Sequence, residues 1–229
     1  MYFYTIGERI GFDRIARYAQ NLGLGTVTGI KLPDEKPGFI PTPAWKQNKL
    51  REPWYPGDTY INSIGQGFIQ VSPIQACQLI SAVANGGIFY RPKLILHTRS
   101  RETGSVKQAL PERKGRSVID PAALEEVRKA LIGVVSEPGG TGHAAQTPIA
   151  TVAGKTGTAQ VIAQKDPGKK LFGKTQDHAW FIAYAPVENP RIAVAVLVEH
   201  GGHGGGAAAP IARRVIEEYI RNAGSKIVH

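Results

Sequence analysis

Apolar positions along the chain fall into two periods, one near four residues and one near two. In FDRIARYAQNLG, Phe12, Ile15, Ala16, Ala19 and Leu22 share a helical face and Gly23 suits the stop, which predicts a helix over 12–23. SPIQACQLISAVANGG predicts a second helix. Ser72 is placed to cap it, Pro73 occupies the first turn, Gln75 stands at the capping-box position and Asn85-Gly86-Gly87 close it. That segment is apolar nearly all round, the pattern of a buried helix. DPAALEEVRKALIGVVSE predicts an amphipathic helix capped by Asp120, and PIARRVIEEYIRNAG a last helix.

The shorter period predicts strands. RPKLILHT and SVKQAL read as two strands joined near Thr103-Gly104. Three further runs follow in close succession: ATVAGKTGTAQVIA, DHAWFIAYAPV and PRIAVAVLVEH. A basic loop containing DPGKKLFGK separates the first two, and ENP makes a hairpin-type connection between the last two. The third run is almost continuously apolar, which predicts a central strand covered on both faces. The glycine-rich GGHGGGAAAP then reads as a turn before the final helix. Residues 24–62, rich in Pro, Gly and aromatics, read as a long irregular connection of the kind that carries function. Helices first, then adjacent antiparallel strands, then a covering helix make an α+β layout.

Composition narrows the reading. The chain has 229 residues, room for one large domain or two small ones, and no apolar run reaches the roughly 18 residues of a membrane helix. Its one cysteine, Cys77, sits on an apolar helical pattern and reads as a buried small hydrophobe. The net charge of +10 comes from scattered Lys and Arg with no repeated aromatic interleaving. That argues against nucleic acid and fits attraction to an anionic surface, either lipid headgroups or an acidic cell-wall polymer.

The chemistry-bearing stretch is AGKTGTAQV. A phosphate loop needs glycine five residues before Gly154, where this chain has Ile149, and a helix afterwards, where this chain has a strand pattern. The better fit is the Lys-Thr-Gly element of serine acyl-transfer enzymes. Lys155 supplies a fixed positive charge for a substrate carboxylate and for proton traffic. Gly157 removes a side chain so that substrate can lie against backbone. The Thr156 and Thr158 hydroxyls can donate to a carboxylate, and a backbone N–H here can be half of an oxyanion hole. Strict alternation places Lys155 and Thr158 on opposite faces, so which side chains reach a cleft stays open at this point.

With these residues in view, the chain resembles the C-terminal part of the transpeptidase domain of class B penicillin-binding proteins, most of all the elongation-type penicillin-binding protein 2. YFYTIGERIGFDRIARYAQNLGLGTVTGI, PWYPGDTYINSIGQGFIQVSPIQ, GKTGTAQ and DHAWFIAYAP carry the resemblance in order and spacing. It implies a β-lactamase-like or transpeptidase-like α+β fold, an antiparallel sheet flanked by helices and truncated at its N-terminus. One domain would span 1–229, with a helical part over about 1–90 and a hairpin, helix and sheet part over about 91–229. Lys155, Thr156, Gly157 and Thr158 would line the cleft, with the Thr158 N–H as second oxyanion donor. Gly65, Gln66 and Gly67 would be structural supports near the site. Asp177 and His178 would open the next strand, with His178 a satisfied strand-end residue rather than a chemical one. No cofactor or metal is implied. The implied partners are peptidoglycan stem peptides, β-lactams acting on the intact parent, a membrane glycan polymerase and rod-shape proteins. The implied location is the extracytoplasmic side of an inner-membrane anchor.

The family's acylated serine lies in Ser-x-x-Lys, and none of the eight serines here has Lys three residues on or fits the family's Ser-x-Asn/Asp motif. The opening MYFYTIGERIGFDRI reads as a cut inside a domain, just after that second motif. The 229 residues are therefore expected to be catalytically incomplete. The resemblance also implies that the strand over RIAVAVLVEH loses an N-terminal partner, which invites a dimer through an open sheet edge. Two alternatives stay open: a non-catalytic β-lactam-sensing or peptidoglycan-binding domain, and a relative of serine β-lactamases.

Overall fold

The computed structural model describes residues 1–161 and 175–225. They fall into two compact units: Met1–Leu79 with Gly87–Val118, and Ile80–Gly86 with Ile119–His229.

In the first unit, α1 (Tyr2–Ile10) and α2 (Phe12–Asn21) meet at Gly11, whose φ of 80° is the left-handed region glycine adopts without strain. The predicted face of α2 is the one that packs. Phe12 and Ala16 are buried with Ile40, and Ile15 and Ala19 lie against them. Phe12 also stacks on Trp54 at 4.8 Å.

The connection expected to be irregular is partly helical, carrying α3 (Pro43–Leu50) and α4 (Pro56–Ser63). The Thr42 hydroxyl accepts the Trp45 N–H at 3.1 Å, with Pro43 in the first turn. The Asp58 carboxylate accepts the Tyr55 N–H at 2.7 Å and the buried Lys46 ammonium at 2.6 Å, so one side chain caps α4 and ties it to α3.

Helix α5 (Pro73–Ala84) forms as predicted. Gln75 Oε1 accepts the Ser72 N–H at 2.9 Å while the Ser72 hydroxyl accepts the Gln75 N–H at 3.4 Å. The Gln75 amide then donates to the carbonyls of Thr26 and Pro37. Cys77 is half-buried rather than buried. Strand β1 (Ile88–Tyr90) pairs with β4 (Arg113–Arg116), and neither was expected. The expected hairpin forms as β2 (His97–Arg99) against β3 (Val106–Gln108), shorter than its apolar pattern.

In the second unit, Asp120 caps α6 (Pro121–Ser136) through the N–H groups of Ala122 and Ala123, a cap of the kind that stabilises a helix by about 1 kcal/mol. The end of α5, Ile80–Ala84, belongs to this second unit, and the Arg128 guanidinium donates to its last carbonyls, at Val83 and Ala84. The sheet runs β5 (Ala153–Ala159), β6 (His178–Ala185) and β7 (Ile192–Val198), antiparallel in the order β5-β6-β7. The basic loop expected between the first two strands, at 166–174, lies outside the described residues.

Here one expectation is corrected. The central strand is β6, not β7, and β7 has a strand on one side only among the described residues. A long apolar run reads alike for a central strand and for an edge strand packed under a helix. That helix is α7 (Gly204–Ser225), whose Ala208, Ala209, Ala212 and Ile216 are fully buried against one sheet face with Ala179, Phe181 and Ala183. On the other face, Ile182 and Tyr184 pack with Ile80, Val83, Leu124 and Leu131.

Helix α7 also begins six residues before the predicted start at Pro210, inside the run read as a turn. Glycine is a poor helix former, but here contact decides. A Cβ on Gly204 would stand 2.2 Å from the Trp180 carbonyl, and one on Gly205 2.2 Å from the Thr141 carbonyl.

Candidate functional site

The Lys-Thr-Gly-Thr run occupies the middle of β5, the strand at one edge of the sheet. Lys155 stands opposite Ile182, Thr156 opposite Phe181, Gly157 opposite Trp180 and Thr158 opposite Ala179. Pleating splits the four residues between two faces. Thr156 and Thr158 lie on the face of Phe181 and Ala179, beneath α7, and Thr156 Cγ2 is within 3.7 Å of where a Gly205 Cβ would be. Lys155 and Gly157 lie on the opposite face with Trp180, and a Cβ on Gly157 would meet the Trp180 Cβ at 3.1 Å. The side chains therefore do not converge on one face. What all four share is the strand's outer edge, where alternate backbone N–H groups turn away from β6.

Small residues hold this edge in place. The first turn of α7 presses on the backbone of Gly157 and Trp180, a fit that a side chain at Gly204 would break. A second support was not legible in the pattern. The Thr141 hydroxyl hydrogen-bonds the Thr156 hydroxyl at 2.8 Å. Thr141 is held between glycines that admit no side chain: a Cβ on Gly140 would lie 2.3 Å from the Val134 carbonyl, and one on Gly142 2.9 Å from the Phe181 ring. The flanking glycines of EPGGTGH were the available signal.

Lys155 is exposed as a residue, but its ammonium folds back to donate to the Thr156 carbonyl at 2.6 Å. Desolvation at that end lowers its pKa below the usual lysine value. A lysine so placed presents a positive charge at the strand edge and releases its proton more readily than a free one.

His178 is the first residue of β6, as expected. Its Nδ1 accepts the His200 N–H at 2.9 Å, and the two rings lie 4.7 Å apart. His200 Nδ1 in turn faces the Gln176 carbonyl at 3.1 Å. His178 thus has a structural partner, supplied by the turn after β7. Asp177 precedes β6, and its carbonyl accepts the Gly202 N–H at 2.9 Å.

Gly65, Gln66 and Gly67 lie in the first unit, where they close α4. Gly65 and Gln66 donate to the Asn62 and Ile61 carbonyls, and Gly65 and Gly67 both have φ of 76°. Among the described residues, no group of three His, Cys, Asp or Glu side chains is placed to hold a metal ion, and no helix is long and apolar enough to cross a membrane.

A strand with a lysine ammonium on one face and threonine hydroxyls on the other suits a ligand that is extended and carries a carboxylate. Comparison with known proteins gives the family independently. Residues 1–217 match the family model described as the penicillin-binding protein transpeptidase domain. The chain is 35% identical over 226 residues to the peptidoglycan D,D-transpeptidase MrdA of Haemophilus influenzae, covering 96% of this chain and 34% of that protein. It thus spans about a third of the length of the curated relatives it matches. Among solved structures it is similar to Pseudomonas aeruginosa PBP2 in complex with WCK 5153, with a TM-score of 0.79 and 34% identity over 95% of this chain and 46% of that one. It is also similar to PBP2 in a complex with MreC from Helicobacter pylori, with a TM-score of 0.75 and 29% identity over 95% of this chain and 38% of that one.

Proposed function

Since the chain belongs to the penicillin-binding protein transpeptidase family, in its penicillin-binding protein 2 branch, we propose that its β5 edge is the substrate-binding wall of a serine-type D,D-transpeptidase that cross-links peptidoglycan. The carrying observation is the Lys155–Thr158 run on an edge strand, with Gly157 bare and the α7 glycines seated behind it.

In this reading a serine outside these 229 residues attacks the penultimate D-Ala carbonyl of a stem peptide, and its proton passes to a neighbouring lysine. The carbonyl oxygen becomes an oxyanion and accepts the Thr158 backbone N–H. Collapse breaks the peptide bond, and the terminal D-Ala leaves with the proton on its amine. The acyl group then passes to the amine of a second stem peptide, which regenerates the serine. Lys155, at the strand edge, draws the terminal carboxylate, while the Thr156 and Thr158 side chains lie on the other face of β5. One oxyanion donor contributes about two to three orders of magnitude in rate.

A β-lactam presents the same carbonyl and carboxylate, so the parent protein would be acylated and would be an antibiotic target. The Helicobacter relative's complex with MreC supports a partner in the rod-shape machinery, and a membrane glycan polymerase is the corresponding enzymatic partner. The parent would work on the extracytoplasmic side of the inner membrane, held by an anchor. The absence of Ser-x-x-Lys in this chain supports catalytic incompleteness of the 229 residues by themselves.

Mass spectrometry after incubation with benzylpenicillin tests this reading. The parent polypeptide should gain one penicilloyl adduct on a serine outside these residues, and the 229-residue chain should gain none. An adduct on a serine of this chain, or an unmodified parent, would refute it.

A further inference from the structure

We propose that the stem of the β2–β3 hairpin is a docking site for a bilayer of anionic phospholipid, with a lipid phosphate in its groove and its exposed aliphatic side chains entering the interface. The inference rests on the first unit alone and not on the transpeptidase reading, so either can fail without the other.

The stem is closed at both ends. Next to β1 and β4 the Arg91 N–H donates to the Glu112 carbonyl at 2.8 Å, and next to β2 and β3 the Ala109 N–H donates to the Leu96 carbonyl at 2.9 Å. Between these two bonds stand Pro92-Lys93-Leu94-Ile95 on one side and only Leu110-Pro111 on the other. Unequal lengths and two prolines, which have no N–H to donate, keep the sides from pairing. The opening is thus made by the hairpin's own sequence. It holds a groove of about 470 Å³.

The groove has an aliphatic floor and a basic rim. Leu94 and Ile95 line it and are 59% and 60% exposed, and Leu96 and Leu110 in the same stem are 74% and 75% exposed. Lys31, Arg91, Lys93 and Lys107 line it as well. Arg91 pairs with Glu112 at 3.2 Å. The three lysines make no ion pair among the described residues. Positive charge also surrounds the groove. Residues 88–118 hold eight Lys or Arg against two Glu, a net +6 of the chain's +10.

This composition selects the partner. A free anion would answer the lysines and leave the aliphatic side chains in water. Protein interfaces are rich in aromatic side chains and poor in lysine, whereas this groove has three lysines and no aromatic residue. An anionic bilayer satisfies both halves: its phosphates meet the cations, and aliphatic side chains enter beneath them.

Vesicle flotation of the 229-residue chain reads the binding. Mixed phosphatidylglycerol and phosphatidylcholine vesicles should carry the chain, and pure phosphatidylcholine vesicles should not. Lys93→Glu with Lys107→Glu should weaken binding by about a hundredfold, and the same reversals outside the groove, Arg17→Glu with Lys49→Glu, by far less. Leu94→Ser with Ile95→Ser leaves the charge unchanged and should still weaken binding by about tenfold. In a Cys77→Ala background, an environment-sensitive dye on Ile95→Cys should shift to shorter wavelength with phosphatidylglycerol vesicles and not with inorganic phosphate. Circular dichroism confirms that each variant is folded. In the parent polypeptide, hydrogen exchange over residues 92–96 should slow when phosphatidylglycerol vesicles replace phosphatidylcholine ones. Absence of flotation overturns the proposal. Equal losses in the two charge-reversed pairs also overturn it, because net charge alone would then explain binding. So does a dye response to phosphate without one to vesicles, which gives the groove to a free anion. Unchanged exchange in the parent overturns it too, because the groove is then not the lipid contact there.

Discussion

The sheet of β5, β6 and β7 has two edges that share one backbone geometry and differ in everything the side chains add. The β5 edge carries Lys155, Thr156, Gly157 and Thr158, and α7 seats its glycines against it. The β7 edge carries only aliphatic residues, with Arg191 and Glu199 held to its ends. Among the described residues each of these strands pairs with another strand on one side only. On β5 the side chains suit an extended ligand bearing a carboxylate. On β7 they suit apolar packing with α7. The difference shows that an edge strand is not by itself a site: its side chains decide what it can receive.

The comparison can be broken most severely at the strand both edges depend on. Phe181 on β6 is fully buried and stands opposite Thr156 on one side and Val196 on the other. Phe181→Ala should cost about 3–5 kcal/mol of stability in chemical denaturation and disorganise both edges together. A loss under about 1 kcal/mol, small for a buried aromatic, would show that the two edges do not share this support.

A smaller change separates them. Gly204→Ala places a Cβ against the Trp180 and Gly157 carbonyls and should cost about 1–3 kcal/mol. Unchanged stability would mean that the first turn of α7 does not press on β5.

The smallest effect is expected at the lysine. Lys155 loses part of its solvation on folding, which lowers its pKa in the folded state. At pH just below the ordinary lysine value the unfolded chain then binds more protons, so stability rises as pH climbs into that window. Lys155→Met should abolish this rise and leave stability at neutral pH equal to or slightly above that of the unchanged chain. A clear loss at neutral pH would give Lys155 a structural role instead.

The fold was legible where end signals were strong. Ser72-Pro73 with Gln75, and Asp120-Pro121, marked α5 and α6, and the hydrogen bonds they forecast are present. Thr42-Pro43 and Pro56 with Asp58 offered the same kind of signal for α3 and α4, but the surrounding Pro, Gly and aromatic residues masked it. Placing β7 at the centre failed for a different reason. Periodicity reports how a strand is covered, whereas its rank in a sheet depends on which strands reach it. The start of α7 was hidden because glycine's low helix propensity is outweighed there by packing that only glycine permits. Of the candidate site, the Lys155–Thr158 motif was legible from residue types alone. The Thr141 hydroxyl and the His200 contact were not, because each reaches its partner through the folded sheet, 15 and 22 residues away in sequence.

The central claim is that the β5 edge binds the carboxylate and the developing oxyanion in acyl transfer. The most direct test is the second-order rate of penicillin acylation of the parent polypeptide, with and without Lys155→Ala, once each is shown to be folded. The account predicts a fall of about a hundredfold or more with the fold retained. An unchanged acylation rate would contradict it.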